Sequence, residues 1–335
     1  MRGTPKSDRG STDSPASRGE STPGNISPLI TFEKDSFSPA GPESGPGFAQ
    51  KKRRFVPPPL QHIVAEPATT QTPPGQVTPR GTGLVNPKQA VPEYDSNSAQ
   101  LLGKGAFGSV FKATGKDGRA FVVKEMDIGI IAHRAAGGGV ISEENAQEHL
   151  QKMQVEAKAL AMLHGIPHVP KFLGSDQQSG IYRIAMEHVE APSMEKGQLP
   201  EPQVKQAIYQ LLKTLDAAHH ATPEVCVAHL DVKPANMLWD GKNLTLIDWG
   251  ETRLFKPGQT KIEQNLSAGT SAYRPKFSEK GDDAVFLDTY AAGKTLETLL
   301  ATGKRAISAG AKQFIDRCTA GEPIEELLKD PWIHD

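Results

Sequence analysis

"HLDVKPANM" occupies residues 229–237, and "IDWG" (247–250) places Asp248 twelve residues beyond Asn236. Short apolar pieces at 225–229, 237–239 and 244–248 read as strands, so the polar residues fall on the loops between them. Taken singly, Asp231 is a surface carboxylate, Lys233 a snorkelling side chain and Asn236 a cap. Taken together, two carboxylates, an ammonium and an amide form a set suited to one charged ligand.

Upstream, "GKGAFGSV" (103–110) has the form GxGxxGxV and lies between two runs, 99–103 and 108–114, that read as strands. Glycines there let backbone amides approach phosphate closely. A dinucleotide-binding turn would open a helix at this point, whereas "SVFKAT" continues as strand. "GKDG" (115–118) reads as a hairpin turn into a third strand over 119–125, whose "FVVK" ends at Lys124. An ammonium at the end of an apolar strand needs an anionic partner. Glu156 is the best candidate, on a predicted helix over 142–164 with Ser142 as N-cap and Leu150, Met153, Ala157, Leu160 and His164 on one face.

These elements assemble into one chemistry. Asp231 accepts or orients the proton of an attacking hydroxyl, and Lys233 stabilises charge on a transferred phosphoryl group. Asn236 and Asp248 hold Mg²⁺ against a triphosphate. The order and spacing of the five elements favour this over five separate structural roles.

The rest of the chain sets the frame. Its 335 residues suffice for about two domains, and a formal net charge of −1 gives no reason to expect nucleic acid as a partner. Cys226 and Cys318 lack metal-ligand spacing and read as buried thiols. No apolar run reaches the roughly 18 residues of a membrane span, and no apolar signal segment opens the chain, so a soluble protein is expected. Residues 1–93 hold 16 of the 27 prolines and four aromatic residues, a composition expected to stay disordered. Seven Ser/Thr-Pro dipeptides (Thr4, Ser14, Thr22, Ser27, Ser38, Thr72, Thr78) and the run Lys51–Arg54 read first as solvated sequence, and second as phosphoacceptor and docking or nuclear-import sites. From Tyr94 the pattern is β-rich to about residue 189, with strands expected at 169–175 and 181–189. Thereafter it is helical, beginning with a long helix that buries Val204, Ile208, Leu211, Leu212, Leu215 and Ala218. The expected fold class is α+β with two lobes, about 94–189 and 190–335.

Over nearly all of 94–335 the chain resembles the eukaryotic-type protein kinases. Lys233 within "HLDVKPAN" and Thr270 within "GTSAYRP" (269–275) are similar to the Ser/Thr class, with Thr270 placed to contact substrate. The resemblance implies ATP and Mg as cofactors and a protein substrate, with Asp231, Lys233, Lys124 and Glu156 catalytic and Asn236 and Asp248 on the metal. It implies a nucleotide pocket built from Leu102, Gly103, Gly105, Phe107, Gly108, Val110, Val122, Lys124, Leu238 and Ile247, with Met186 as gatekeeper and Glu187 to Val189 as hinge. Asp288 in "DTYAAG" would brace the catalytic loop, and "ELLKDPWI" (326–333) resembles the last helix.

Several positions depart from the family pattern. Val122 and Trp249 stand where Ala and Phe are usual; both resemble casein kinase 2, as does "KPGQ" (256–259). Phe277 occupies the slot of the Glu that closes the activation segment, and "CTAGEPIEELL" (318–328) carries no Arg to pair with one. Only 47 residues follow Asp288, so the substrate-docking end is short. Leu230 replaces an Arg that commonly anchors a phosphorylated activation loop, which implies a loop held open by packing. A small-molecule phosphotransferase of the aminoglycoside or choline kinase type and a pseudokinase scaffold are the alternatives. The Lys233, hairpin and "GTSAYRP" features oppose the first, and the filled catalytic positions oppose the second. A disordered, Ser/Pro-rich N-terminus before a trimmed domain is similar in layout to bacterial type III secreted effector kinases, which would act on host signalling proteins in host cytoplasm; a fungal or other eukaryotic kinase, in cytoplasm or nucleus, remains open.

Overall fold

The computed structural model describes residues 85–104, 108–128, 143–262, 269–276, 283–302 and 306–335. β1 (Gln100–Lys104), β2 (Ser109–Thr114) and β3 (Ala120–Asp127) form an antiparallel meander. β4 (Phe172–Gln178) and β5 (Ile181–Glu187) complete a five-stranded sheet in the order β1-β2-β3-β5-β4. The β2–β3 turn closes as expected: Gly118 N donates to Gly115 O at 2.9 Å, and Gly118 takes a φ of +78° that its missing Cβ permits.

Side-chain alternation along β3 gives the sheet two different faces. Phe121 and Val123 point outward into a small apolar cluster with Val91, Ala113 and Ala185. Met126 points the other way, into the main core with Met153, Ala157 and Leu160 of α1 (Glu143–Met162) and Ile184 of β5. Lys124 lies on this inner face, and register places Val110 opposite Lys124 and Val122 opposite Met186.

The folded region starts earlier than the expected boundary at Tyr94. Residues 85–93 were read as part of a disordered segment, yet Val91 is buried, and Ser175 N and Oγ donate to Gln89 O and Pro87 O at 2.7 Å each. Val91 N donates to Asp176 Oδ2 at 3.1 Å, and the Tyr94 ring meets Phe121 edge-on at 5.7 Å. These are mostly backbone contacts, so side-chain composition did not announce them. Residues 1–84, with the Ser/Thr-Pro sites and Lys51–Arg54, lie outside the described residues, as does Ser142.

The second lobe is helical. α2 (Glu201–His219) buries the six residues expected of it and sits at the centre of the main cluster, against α3 (Ala284–Thr302). Pro202 stands in its first turn, where a missing N–H costs nothing. α3 packs on α4 (Ala309–Thr319) so closely that a Cβ on Gly293 would lie 2.7 Å from the Cys318 Cβ. The expected last helix is broken in two, α5 (Ile324–Leu327) and α6 (Pro331–His334), because Asp330 caps a new start with Pro331 at its first position. β7 (Met237–Trp239) pairs with β8 (Leu244–Leu246), and β6 (Cys226–Ala228) pairs with β9 (Arg253–Phe255). β9 lies outside the expected strands; Arg253 breaks its apolar pattern, and pairing with β6 holds it extended.

Candidate active site

Lys124 and Glu156 meet as expected, with Lys124 Nζ 2.7 Å from Glu156 Oε2 and 3.5 Å from Asp248 Oδ1. Burial works against the Lys124 charge, but Glu156 and Asp248 outweigh it and hold its pKa above the ordinary value. Burial pushes the Glu156 carboxyl up, and Lys124 opposes that push. Asp248 is held below the usual carboxylate range: burial would raise it, but Lys124, His229 and Lys233 together prevail. The site is therefore a chain of alternating charge joining β3, α1 and the loop after β8.

Asp231, Lys233, Asn236 and Thr270 form a second cluster. Asp231 Oδ1 accepts from Thr270 N at 3.0 Å and Thr270 Oγ1 at 2.8 Å, and Oδ2 accepts from Asn236 Nδ2 at 3.1 Å. Lys233 Nζ lies 3.0 Å from Asp231 Oδ2 and donates to Thr270 Oγ1 at 2.8 Å. Gly269 brings the Thr270 segment in; its φ is +76°, and a Cβ there would lie 2.2 Å from Leu230 O. Beneath the loop, the fully buried Asp288 accepts from His229 N at 2.8 Å and Leu230 N at 2.7 Å, and pairs with His219 Nε2 at 2.9 Å. Those bonds hold Leu230 in the left-handed region, at φ 63°.

Asp248 also adopts a left-handed φ of 60°. Trp249, next in sequence, is buried and donates from Nε1 to Leu246 O at 3.1 Å. Asn236 Nδ2 is spent on Asp231 O and Oδ2, which leaves its carbonyl oxygen as the lone-pair ligand of that side chain. An amide oxygen and a carboxylate held below its usual pKa are hard oxygen donors that suit Mg²⁺.

Leu102, Val110, Val122, Met186, Val189, Leu238 and Ile247 are all half-buried, while Val123, Ala185, Met237 and Leu246 beside them are buried. Apolar side chains left partly open on both lobes suit a flat apolar ligand between them. Glu187 N donates to Lys171 O at 2.8 Å, so its amide is taken up by the chain itself. A Cβ on Gly108 would lie 2.3 Å from Glu125 O, so glycine is required there for strand packing as much as for any ligand. Gly103 is buried in β1, and Gly105 and Phe107 lie outside the described residues.

Three features escaped sequence reasoning. Lys152 Nζ reaches Glu251 Oε2 at 3.5 Å, linking α1 to the segment after Trp249. Tyr94 OH donates to Glu125 Oε1 at 2.5 Å on the outer face of the sheet. Arg317, one residue ahead of the Arg-free stretch, pairs with Glu322 and Asp330 and ties α4 to the start of α6. Each joins residues distant in sequence or charges that alone read as solvated. Phe277 lies outside the described residues.

Residues 96–319 match the family described as Protein kinase domain. The chain belongs to the protein kinase family. Among curated relatives, mitogen-activated protein kinase kinase kinase 3 of Arabidopsis thaliana is 29% identical over 272 residues, covering 77% of this chain and 39% of that protein. Mitogen-activated protein kinase kinase kinase ANP1 of the same plant is 27% identical over 287 residues, covering 74% of this chain and 41% of that protein. Serine/threonine-protein kinase KIC1 of Saccharomyces cerevisiae is 25% identical over 287 residues, covering 73% and 24% respectively. This kinase chain thus spans less than half the length of each of these relatives. No helix among its described residues is long and apolar enough to cross a membrane.

Proposed function

We propose that this chain is an ATP- and Mg-dependent Ser/Thr protein kinase that phosphorylates protein hydroxyls. The observation that carries the reading is the Thr270 hydroxyl, which donates to Asp231 Oδ1 and accepts from Lys233 Nζ, both at 2.8 Å. Asp231 and Lys233 thereby hold one aliphatic hydroxyl in the arrangement a substrate Ser or Thr needs. Mg-ATP, bound between the lobes, supplies the phosphoryl group and the charge that offsets its oxygens. Lys124, set by Glu156, positions the phosphates; Asp248 and the Asn236 carbonyl hold the metal; Asp231 takes or orients the hydroxyl proton; and Lys233 stabilises charge on the phosphoryl group. A small-molecule phosphotransferase has no use for the Thr270 contact, and a scaffold none for the full charge set.

Activation-loop phosphorylation is not required in this reading. Leu230 sits in an apolar cluster with Ala228, Ile262, Ala284, Phe286 and Leu287, so packing replaces an Arg–phosphate pair. Two of the loop hydroxyls are buried: Thr252, and Thr260, whose Oγ1 donates to Asp283 Oδ2 at 2.7 Å. A secretion or targeting role for the N-terminal region rests on its composition alone, and a reporter fused to residues 1–84 tests it.

The decisive test is Mg-ATP phosphotransfer to a generic acceptor such as casein. Asp231→Ala should lower kcat by about 10²–10⁴ while ATP still binds. Near-normal transfer by this variant would remove the assignment of the site.

A further inference from the structure

Lys152 stands one helical turn before Glu156 on α1, so both project from the same side of the helix. Its Nζ is 3.7 Å from Glu148 Oε1 on the same helix and 3.5 Å from Glu251 Oε2, three residues after Asp248. The side chains of Lys152 and Glu251 are 23% and 31% exposed, so solvent screens the pair only in part. The same two elements, α1 and the 248–251 segment, are joined a second time through Glu156, Lys124 and Asp248. That second connection runs through β3, whereas Lys152 to Glu251 is direct. β9, which begins at Arg253, also packs against α1.

We propose that Lys152 is a positioning residue for phosphoryl transfer, which through Glu251 holds α1 at the setting that keeps Glu156 on Lys124. An ion pair on a solvated surface contributes about 0–1 kcal/mol and moves nothing. This one spans two elements whose separation decides whether Lys124 has its carboxylate partner. If α1 moved outward, Glu251 would lose Lys152 and Glu156 would be left buried without its cation, so the two pairs break together. Glu251 supplies with a built-in carboxylate a link between α1 and the activation segment that needs no added phosphate. The inference rests on the kinase reading above.

The experiment is a cycle of Lys152→Gln, Glu251→Gln and both together in the full chain, read by kcat, by KM for ATP and by hydrogen exchange of the α1 amides. Each single change should lower kcat about five- to ten-fold and speed exchange in α1, and the double variant should be no worse than either single one. The reversal Lys152→Glu with Glu251→Lys should restore α1 protection above that of either reversed single variant. Additive losses in the cycle, or unchanged α1 exchange in the single variants, would overturn the proposal. Hydrogen exchange needs no turnover, so it judges the tie even if wild type proves unable to transfer phosphate. That inability would sink the kinase reading instead.

Discussion

His229 meets Trp249 edge-on, with ring centroids 4.6 Å apart and planes inclined at 63°. This contact joins the loop carrying Asp231 to the loop carrying Asp248. Trp249 is fixed at its other end by the Nε1 bond to Leu246 O, and His229 by the bond from its amide to Asp288. A Phe at 249 would keep the ring packing but lose the indole donor. The left-handed Asp248 is therefore held between two anchored neighbours.

Trp249→Phe should consequently lower the melting temperature by about 3–8 °C, from one lost buried hydrogen bond and a partly filled space. In the same reading, replacing Thr252, Thr260, Ser267 and Ser271 together by apolar residues of similar size, after phosphatase treatment, should leave kcat within a few-fold of wild type. A collapse reversed by acidic replacements would show that loop phosphate is needed after all. Of the three described loop hydroxyls, only Ser271 is exposed, so mass spectrometry should find modification there before Thr252 or Thr260.

Lys124→Met should abolish transfer and destabilise the domain by about 3 kcal/mol, because Glu156 would be left buried beside Asp248 and Glu251 without its cation. Adding Glu156→Leu should recover most of that stability and none of the activity. Denaturant midpoints read alongside kinetics separate the two roles. A single variant as stable as wild type would mean that Glu156 takes up a proton at no measurable cost.

A chain beginning at Val85 should unfold as cooperatively as the full chain. One beginning at Asp95 loses the Val91 and Tyr94 contacts and exposes Phe121 and Ala185, and should melt about 5 °C or more lower. Equal melting temperatures would show that residues 85–94 merely rest on the sheet.

Both thiols are buried, and burial pushes Cys226 and Cys318 up to about 12 from an ordinary 9.0. Native protein at about pH 8 should react with a thiol reagent far more slowly than denatured protein. The unfolded chain releases these protons first. The stability they contribute is thus full below about pH 9 and declines as pH rises toward about 12. Denaturation midpoints should fall more steeply between about pH 9 and pH 11 in wild type than in a Cys226→Ala, Cys318→Ala variant.

Sequence alone determined the elements whose signals are local. The 3.6-residue period of α2, the alternation of β3 and the hairpin glycines act within a few residues of themselves, and all three formed where read. The convergence of Lys124, Glu156, Asp231, Lys233, Asn236 and Asp248 was also legible, because the order and spacing of their motifs point to one site although each residue alone reads as structural. What only the tertiary structure decided are contacts between groups that carry no local signal. Main-chain atoms of residues 87–91 pair with β4 whatever their side chains, so a proline-rich composition hid a folded strap. Lys152 and Glu251 read as solvated charges until the packing of α1 brought them within 3.5 Å, ninety-nine residues apart in sequence. Leu230 announced only a missing cation; the apolar cluster around it exists because Ile262, Phe286 and Leu287 fold onto it from a different part of the chain. Burial and charge pairing depend on distances in space, and a linear pattern reports those only where chain neighbours are also neighbours in the fold.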